Sequence, residues 1–308
     1  IASHSPAKIA WIPRRSGERG ALEAGAIGNL LPGGRPVTDA AARVDVQSAW
    51  GIEALPTQVG LSTHEILNSL NQTGGLEAVL VGGVDPADIS ADALGQLLNT
   101  FVVSLEISHS AVTAIADVVL PVAAVTEKAG TFLDWEGRER AFDQAIDGAL
   151  NRSDVRILSM LADEMKKPIS LPSVTAAARE LLALGKWDGA KAVKPIHSSS
   201  TQNASGNQAI LQSWRQLIDL GSLQSGEENL AGTARKAVAV ISSQRAASLG
   251  VSEGDVIKIS SDRGSIELPA HIAAISEESV WIPRNSQGSQ AIVALGAASG
   301  ILVTVVKA

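Results

Sequence analysis

The sequence contains no cysteine and no tyrosine. Without cysteine it cannot supply thiolate ligands to an iron–sulfur cluster or a zinc site, and it cannot form a disulfide. Without tyrosine it has no phenol to act as an acid or a base. No two of its five histidines are three or four residues apart, as paired metal ligands on a helix would be. The composition therefore indicates neither a metal centre nor a catalytic residue in this chain.

Long apolar runs and excess positive charge are also missing. No apolar run approaches the roughly 20 residues of a membrane-spanning helix, so the sequence predicts no direct membrane insertion. The formal net charge is −7, whereas a nucleic-acid-binding surface is basic, so no nucleic-acid partner is expected. The chain has 308 residues, of which 45% are hydrophobic and 19% charged. These values are typical of a globular protein that is long enough for two domains.

Residues 1–150 combine short apolar runs with helical patterns. Asp39 can cap a helix that continues to about Trp50, and Ser62 with Glu65 has the spacing of a capping box. The apolar runs are rich in β-branched residues, as in strands buried on both faces of a parallel sheet. They are 8–13, 78–84, 101–106 and 117–121. This alternation predicts a Rossmann-like, doubly wound α/β layer.

Residues 151–232 change to a helical pattern. Apolar residues at helical spacing predict helices after Ser153, over 173–184 and over 210–218. The polar stretch 197–208 has nothing to bury, so it predicts a mobile surface loop. We therefore expect a helical connection between the α/β layer and the remainder of the chain.

Residues 233–308 show a hydrophobic period of two. Alternating runs separated by glycine-bearing turns predict strands, and closing them into a small six-stranded barrel would leave no free edge. The runs are 256–260, 265–272, 279–283 and 300–306. A short helix over 243–249 is expected before the first of them.

Three stretches carry a resemblance to known proteins. Residues 116–138 read ADVVLPVAAVTEKAGTFLDWEGR, with a strand that ends in proline, an E..GT turn and an EGR tripeptide. This pattern resembles the molybdopterin oxidoreductase family. Residues 12–36, which include LLPGGRP, and 223–235 are similar to the large iron–sulfur subunit (the G subunit) of bacterial NADH-quinone oxidoreductase, or complex I. The resemblance implies that residues 233–308 form a double-psi β-barrel of the molybdopterin-dinucleotide-binding type.

The resemblance places cofactor-binding candidates in the turn GGVDP, which follows a predicted strand. Glycines at this position allow backbone N–H groups to approach a pyrophosphate. Cofactor-binding members of the family have G-x-N-P here and more often asparagine at position 134, whereas this chain has Asp85 and Asp134. At an effective dielectric of about 20, each carboxylate would repel phosphate by several kcal/mol, which favours a lost cofactor. A purely structural turn is the alternative. The candidates are Gly82, Gly83, Asp85 and Pro86.

A second set of candidates lies in the loop that ends in EGR. In cofactor-bearing members of the family this loop packs against the pterin. Its residue types can also be explained without a ligand, because Glu136 and Arg138 can hold a loop by charged hydrogen bonds while glycines adopt unusual backbone angles. The candidates are Gly130, Thr131, Glu136, Gly137 and Arg138.

Five further residues are candidates for contact with partner proteins. An arginine-rich loop on an acidic protein could dock an acidic neighbour or bind phosphate, and solvated loop charge is the alternative. Tryptophans in charged surroundings could anchor an interface, whereas Trp11, Trp214 and Trp281 are expected in the core. The candidates are Arg14, Arg15, Arg19, Trp135 and Trp187.

The resemblance implies a non-catalytic scaffold portion of an iron–sulfur electron-transfer subunit, whose pterin fold has lost its cofactor. The chain begins at Ile1 without methionine, which indicates a segment of a longer protein, and the iron–sulfur clusters would lie in a preceding region. Partners would be other subunits of the peripheral arm of complex I, on the cytoplasmic side of the cell membrane. One alternative is the pterin-binding portion of an active molybdopterin-dependent oxidoreductase of the formate dehydrogenase or nitrate reductase type. Another is a regulatory domain that binds an unrelated nucleotide.

Overall fold

The computed structural model describes residues 4–8, 10–13, 17–148, 150–192, 203–297 and 299–308. Its helices are α1 (Glu18–Glu23), α2 (Ala40–Trp50), α3 (Thr63–Ser69), α4 (Ala93–Leu97), α5 (Asp154–Glu164), α6 (Val174–Leu184), α7 (Glu228–Ala231), α8 (Ser243–Leu249) and α9 (Ala291–Leu295). Its strands are β1 (Leu30–Leu31), β2 (Arg35–Pro36), β3 (Ala78–Gly82), β4 (Phe101–Glu106), β5 (Val118–Pro121), β6 (Gly130–Leu133), β7 (Glu139–Phe142), β8 (Gln208–Trp214), β9 (Ala239–Ile241), β10 (Val256–Ser260), β11 (Ser265–Ile272), β12 (Ser279–Pro283), β13 (Asn285–Ser286), β14 (Ser289–Gln290) and β15 (Leu302–Lys307).

Local sequence signals account for the starts of helices α2 and α3. The Asp39 side chain accepts the N–H of Ala42 at 3.0 Å, which caps α2 as predicted. Ser62 and Glu65 form the predicted capping box, since the Glu65 carboxylate accepts the Ser62 N–H at 2.7 Å and the Ser62 hydroxyl accepts the Glu65 N–H. Helix α2 ends at Gly51, which adopts the left-handed conformation with a φ of 64°.

The described residues group into two compact units. The first lies within Ile1–Gly83 and Thr100–Ile196, and the second within Val84–Asn99 and His197–Ala308. The segment Val84–Asn99, called the acidic segment below, therefore folds with the later part of the chain. The domain limits proposed from the sequence, at residues 150 and 232, remain predictions.

The first unit contains a three-stranded parallel sheet in the order β3–β4–β5. Val79 pairs with Val102, and Val103 pairs with Val118. In β4 three of six side chains are buried, whereas β3 and β5 have only exposed or half-buried residues. The expectation of burial on both faces is therefore wrong for β3 and β5, because in a sheet of three strands these two are edges.

The second unit contains a closed barrel with the strand order β10–β11–β9–β12–β8–β15. Strands β9 and β11 are parallel, as are β8 and β12, while the other neighbours are antiparallel. The barrel is consistent with the double-psi β-barrel that the resemblance implies, and the mixed α/β fold class is confirmed. Its core consists of aliphatic side chains from these strands, including Leu211, Ile241, Ile257, Ile259, Ile282 and Val305.

The predicted helix over 210–218 is wrong, because residues Gln208–Trp214 form strand β8 of the barrel. Ala209, Leu211 and Ser213 point inward and are buried, while Ile210 and Gln212 are half-buried. Because two of these inward-facing residues are the small Ala209 and the polar Ser213, the sequence does not show the alternation of apolar and polar residues that is typical of a strand. Strand β8 also lies outside the range 233–308 that the sequence predicted for the barrel.

Two smaller expectations also differ from the structure. The described residues of the range 8–13 contain no strand. Trp11 and Trp214 were expected in the core, but 44% and 53% of their surfaces are exposed. Trp214 instead lies at the end of β8 against the half-buried Trp281, with ring centroids 4.9 Å apart. Half of the predicted mobile loop, residues 197–202, lies outside the described residues.

Among the described residues, no helix is both long enough and apolar enough to cross a membrane.

Candidate functional site

The turn after strand β3 begins with two glycines. Gly82 ends β3, and Gly83 adopts a positive φ of 62° that favours glycine. The Gly83 N–H donates to the carbonyl of Leu105 in the neighbouring strand at 3.3 Å. Because the Gly83 N–H is used by this hydrogen bond, it is not available to a ligand. The two glycines end strand β3.

Asp85 and Pro86 open the acidic segment. One carboxylate oxygen of Asp85 accepts the N–H of Ala87 at 3.0 Å, and Pro86 is buried as the first residue of a short 3-10 helix, Pro86–Asp88. An asparagine could accept the same hydrogen bond. The structural role of position 85 therefore does not require a negative charge, and the aspartate adds one at the turn.

Gly130 and Thr131 lie in strand β6, which pairs with β7 as a two-stranded hairpin. Gly130 pairs with Phe142 and Thr131 with Ala141. A Cβ atom at position 130 would collide with the ring of Phe142, so only glycine fits this ring position. The Phe142 ring also stacks on Phe132 with centroids 5.1 Å apart. Gly130 thus packs against an aromatic pair of its own hairpin.

The EGR residues form the tip of this hairpin, and Asp134 organises it. One oxygen of Asp134 accepts the N–H groups of Glu136 at 3.0 Å and Arg138 at 2.9 Å. Its second oxygen lies 3.1 Å from Arg140, and Glu136 pairs with Arg138 at 3.0 Å. Gly137 has a positive φ of 81°. The predicted charged hydrogen bonds are therefore present, and Gly137 has the predicted unusual angle. The same expectation is wrong for Gly130, which is a strand residue without a positive φ.

We expect Asp134→Asn to change the pH dependence of stability. The hydrogen bond from the Arg138 N–H, followed by the charge of Arg140, lowers the pKa of Asp134. When the pKa of a carboxylate is lower in the folded state than its unfolded value of about 3.9, the carboxylate stabilises the protein at pH values above 3.9. This stabilisation is lost as the pH falls through the folded-state pKa. The wild type should therefore melt at a higher temperature than Asp134→Asn at pH 7, and the difference should shrink toward pH 3. A difference that stays constant over this range would contradict the expectation.

The candidates for partner contact are placed differently from one another. Arg14 and Arg15 lie outside the described residues. Arg19 forms an ion pair with Glu23 in helix α1, and a Cβ at Gly137 would lie 3.3 Å from its guanidinium. Trp135 is 47% exposed at the hairpin tip. Trp135 therefore has the exposure that an interface residue needs, whereas Arg19 is already paired.

Trp187 lies over a buried arginine that the sequence reading did not single out. The guanidinium of Arg35 stacks over the Trp187 ring at 5.6 Å from the centroid. Arg35 is 3% exposed and donates to both Leu184 and Gly185 carbonyls at 2.9 Å and to Asp45 at 3.2 Å. The sequence signal that could have identified Arg35 is its place in the motif LLPGGRP. Trp187 thus has a structural contact within the first unit.

A second group missed by the sequence reading lies in the second unit. Asp88 of the acidic segment forms an ion pair with Arg215, and the Asp88 carbonyl accepts a hydrogen bond from Arg284 at 3.0 Å. Asp92 of the same segment accepts a forked pair of hydrogen bonds from Arg263. No local pattern reports such pairs, because 127 and 171 residues separate the partners. Two of the three carboxylates of the acidic segment, those of Asp88 and Asp92, are therefore bound to arginines.

Among the described residues, no three histidine, aspartate or glutamate side chains lie close enough together to hold a metal ion.

A cavity of about 400 Å³ lies in the first unit, beside the carboxyl end of β5 and against helix α5. Most of its lining is apolar, from residues that include Leu120, Ile157, Met160 and Leu161. Like many ligand pockets it is mainly apolar, and its polar lining residues are Asn151, Arg152 and Glu164.

Comparison with known proteins decides the family. The family model for molybdopterin oxidoreductase matches residues 11–164, and the model for the molydopterin dinucleotide binding domain matches residues 211–303. The chain belongs to the molybdopterin oxidoreductase family. The resemblance seen in residues 116–138 is thereby confirmed.

Within the molybdopterin oxidoreductase family, the chain is similar to proteins named as the G subunit of NADH-quinone oxidoreductase. It is 47% identical to the one from Mycobacterium tuberculosis (strain CDC 1551 / Oshkosh), in a match that covers 94% of the chain and 37% of the relative. It is 44% identical to the one from Streptomyces coelicolor, with 97% and 36% covered. The chain therefore spans little more than a third of the length of these relatives.

One solved structure has a similar fold. Acetylene hydratase from Pelobacter acetylenicus matches with a TM-score of 0.55 over 86% of the chain and 49% of its own. Sequence identity is 14%, so this likeness supports the fold alone.

The charges of the acidic segment do not fit the phosphate groups of a molybdopterin dinucleotide. Such groups need positive or N–H donors that are still available. Here Arg215 and Arg263 are already paired with Asp88 and Asp92, and Asp85 adds a third carboxylate within the same segment. An incoming phosphate would face these negative charges at short range. The family fold is present, while the charges at this segment oppose the family's cofactor.

Proposed function

We propose that this chain is a scaffold and subunit-contact part of the G subunit of an NADH-quinone oxidoreductase, in which the molybdopterin fold no longer holds its cofactor. The observation that carries this proposal is the 44–47% identity over at least 94% of the chain to proteins of that name. The paired arginines of the second unit support the loss of the cofactor. The chain would perform no turnover of its own.

The proposed partners follow from the same relatives. The remaining part of the parent subunit would carry iron–sulfur clusters that relay electrons from NADH toward quinone. This chain would contact other subunits of the peripheral arm, on the cytoplasmic side of the cell membrane. Trp135, which is 47% exposed, is the best-placed of the candidate anchor residues. Arg14 and Arg15 remain predicted contacts.

The test is a cofactor measurement on the intact parent subunit. The subunit would be purified from its native host, and iron, molybdenum, tungsten and released pterin would be measured per chain. We expect iron without molybdenum, tungsten or pterin. A formate dehydrogenase or nitrate reductase prepared in the same way would show that the procedure retains pterin.

Near-stoichiometric pterin in the parent subunit would overturn the proposal. It would favour the second candidate function, the pterin-binding portion of an active molybdopterin-dependent oxidoreductase. The match of residues 211–303 to the dinucleotide-binding family model is the observation on that side. In that case the turn at Gly82–Gly83 and the hairpin tip at Gly137 would have to line the pterin-binding site.

A further inference from the structure

One face of the parallel sheet in the first unit is apolar and largely open to solvent. Successive residues of a strand point to opposite faces, and paired residues of neighbouring strands point to the same face. The register therefore gives this face, called the open face below, the side chains of Leu80, Phe101, Val103, Leu105, Val118 and Leu120. Phe101, Leu80 and Val118 are 49%, 44% and 38% exposed. All three strands of the sheet thus contribute exposed apolar surface to the open face.

The opposite face of the sheet is closed at its centre. Val102 and Ser104 of the central strand β4 point to that side and are fully buried. On the open face, Phe101 of the same strand is exposed and Val103 is half-buried. Parallel sheets are normally covered on both faces, most often by helices. In the described part of the chain, the open face therefore lacks the cover that a parallel sheet has in a complete domain.

The cavity beside helix α5 continues the open face. Leu120 belongs to the face and also lines the cavity, which extends from the carboxyl end of β5 to α5. Helix α5 contributes Ile157, Met160 and Leu161 to the lining, and Met160 is 40% exposed. Leu150, which is 98% exposed, lines the cavity as well. The apolar surface therefore extends from the sheet to the flanking helix.

This surface has the features of a protein interface. A contiguous apolar patch of several side chains is uncommon on a soluble monomer, and where it occurs it marks a contact site. Arg152 and Glu164 are exposed and line the same cavity. An apolar centre with polar residues beside it is typical of interfaces between proteins. The open face and the cavity are therefore suited to bind another piece of polypeptide.

The length of the relatives indicates which polypeptide this is. The two matches take in 94% and 97% of this chain but only 37% and 36% of the relatives. Most of such a subunit therefore lies outside the matched region. A segment joined to the chain by covalent bonds has a high effective concentration at its surface, which a separate partner does not have. Since helices are the usual cover of a parallel sheet, a helix of this remaining part is the occupant that fits best.

We propose that the open face and the cavity beside α5 form the docking surface for an amphipathic helix from the remaining part of the parent subunit. The apolar stripe of that helix would lie across β3, β4 and β5, with its polar face toward solvent or toward other parts of the subunit. The proposal rests on the proposed function, which supplies the parent subunit. It assigns the first unit a contact within the subunit, separate from the contact with other subunits at Trp135.

The two methionines of the chain provide a test with its own control. Met160 lines the cavity, whereas Met165 lies at the end of the same helix, is absent from the lining and is 66% exposed. Hydroxyl-radical footprinting, read by mass spectrometry, would compare the parent subunit with the 308-residue chain. Because oxidation of methionine follows its exposure, we expect Met160 to be oxidised at least about fivefold more slowly in the parent subunit, and Met165 to change by less than about twofold. Phe101 should be protected together with Met160.

A matched pair of variants tests which face of the sheet is used. Val118 and Val119 are neighbours in β5, 38% and 42% exposed, and they point to opposite faces. In the parent subunit, Val118→Glu would place a carboxylate beneath the docked helix, where burial of a charge is unfavourable. We expect this variant to restore the oxidation of Met160, whereas Val119→Glu should leave Met160 protected. The comparison of the unaltered proteins remains decisive if either variant fails to fold.

Four results would overturn the proposal. The first is equal and rapid oxidation of Met160 in the parent subunit and in the 308-residue chain. The second is slow oxidation in the 308-residue chain at every concentration, which would mean that the chain covers the face itself. The third is slow oxidation that appears in this chain only at high concentration, which would indicate a second copy. The fourth is protection that appears only when the other subunits are added to the parent subunit.

The footprint and the cofactor measurement can fail independently. Pterin in the parent subunit would overturn the proposed function, while the protection of Met160 would still report a docked segment. A parent subunit without pterin, in which Met160 is oxidised as rapidly as in the 308-residue chain, would overturn the docking surface alone.

Discussion

Replacing Arg35 with alanine should lower the free energy of unfolding of the first unit by about 2–4 kcal/mol. The guanidinium is buried and donates to the carbonyls of Pro32, Leu184 and Gly185 as well as to Asp45. Alanine leaves these acceptors without their donor, and buried acceptors cannot all recover a water molecule. Urea unfolding would measure the loss. Hydrogen exchange should rise in peptides that cover helix α6.

Two variants separate the shape of Arg35 from its charge. Arg35→Lys keeps the charge but loses the planar fork, so we expect it to recover less than half of the stability. Arg43→Ala removes a neighbouring arginine that makes one hydrogen bond, to the Val37 carbonyl at 2.7 Å, and should cost about 1 kcal/mol. Stability equal to the wild type in Arg35→Lys would show that the planar fork contributes nothing beyond the positive charge.

Leu211→Ala should destabilise the barrel by about 2–5 kcal/mol. Leu211 is fully buried among the inward-facing side chains of the barrel strands. Truncation removes its transfer free energy and leaves a cavity, because a closed barrel has little freedom to collapse. Hydrogen exchange of peptides from β8 to β15 would measure the effect locally, which matters where two units can unfold separately.

Ile210→Ala is the control for Leu211→Ala. Ile210 is the preceding residue of the same strand, but it faces outward and is only half-buried. The same chemical truncation should therefore cost less than half as much. Equal costs at the two positions would mean that β8 does not separate an inner from an outer face, and the strand assignment would be wrong.

Local signals were sufficient for much of the α/β unit. The caps at Asp39 and Ser62 were predicted because their partners lie three residues away, and β4 was predicted because its apolar run is continuous. Strand β8 was missed because its inward residues Ala209 and Ser213 do not read as core positions. A short segment that mixes small, polar and large residues satisfies helical and strand periods alike.

The candidate site was less accessible from the sequence. The motif residues Gly82 and Gly137 could be located, and the positive angle of Gly137 follows from its place in a turn. Three partners of Arg35 and Arg215 could not be predicted. Leu184 and Gly185 lie 149 and 150 residues from Arg35, and Asp88 lies 127 residues from Arg215. Such pairs are set by topology, which single-sequence patterns do not report.

The acidic segment has a consequence for how such a chain can evolve. In the gene, its codons lie between those of β3 and β4, which pair with each other in the first unit. Asp88 and Asp92, however, bind arginines of the second unit. A recombination event that exchanged the barrel alone would leave Arg215 and Arg263 without their carboxylates. The two units should therefore be inherited together, with substitutions at 88 and 92 correlated with those at 215 and 263 across natural relatives.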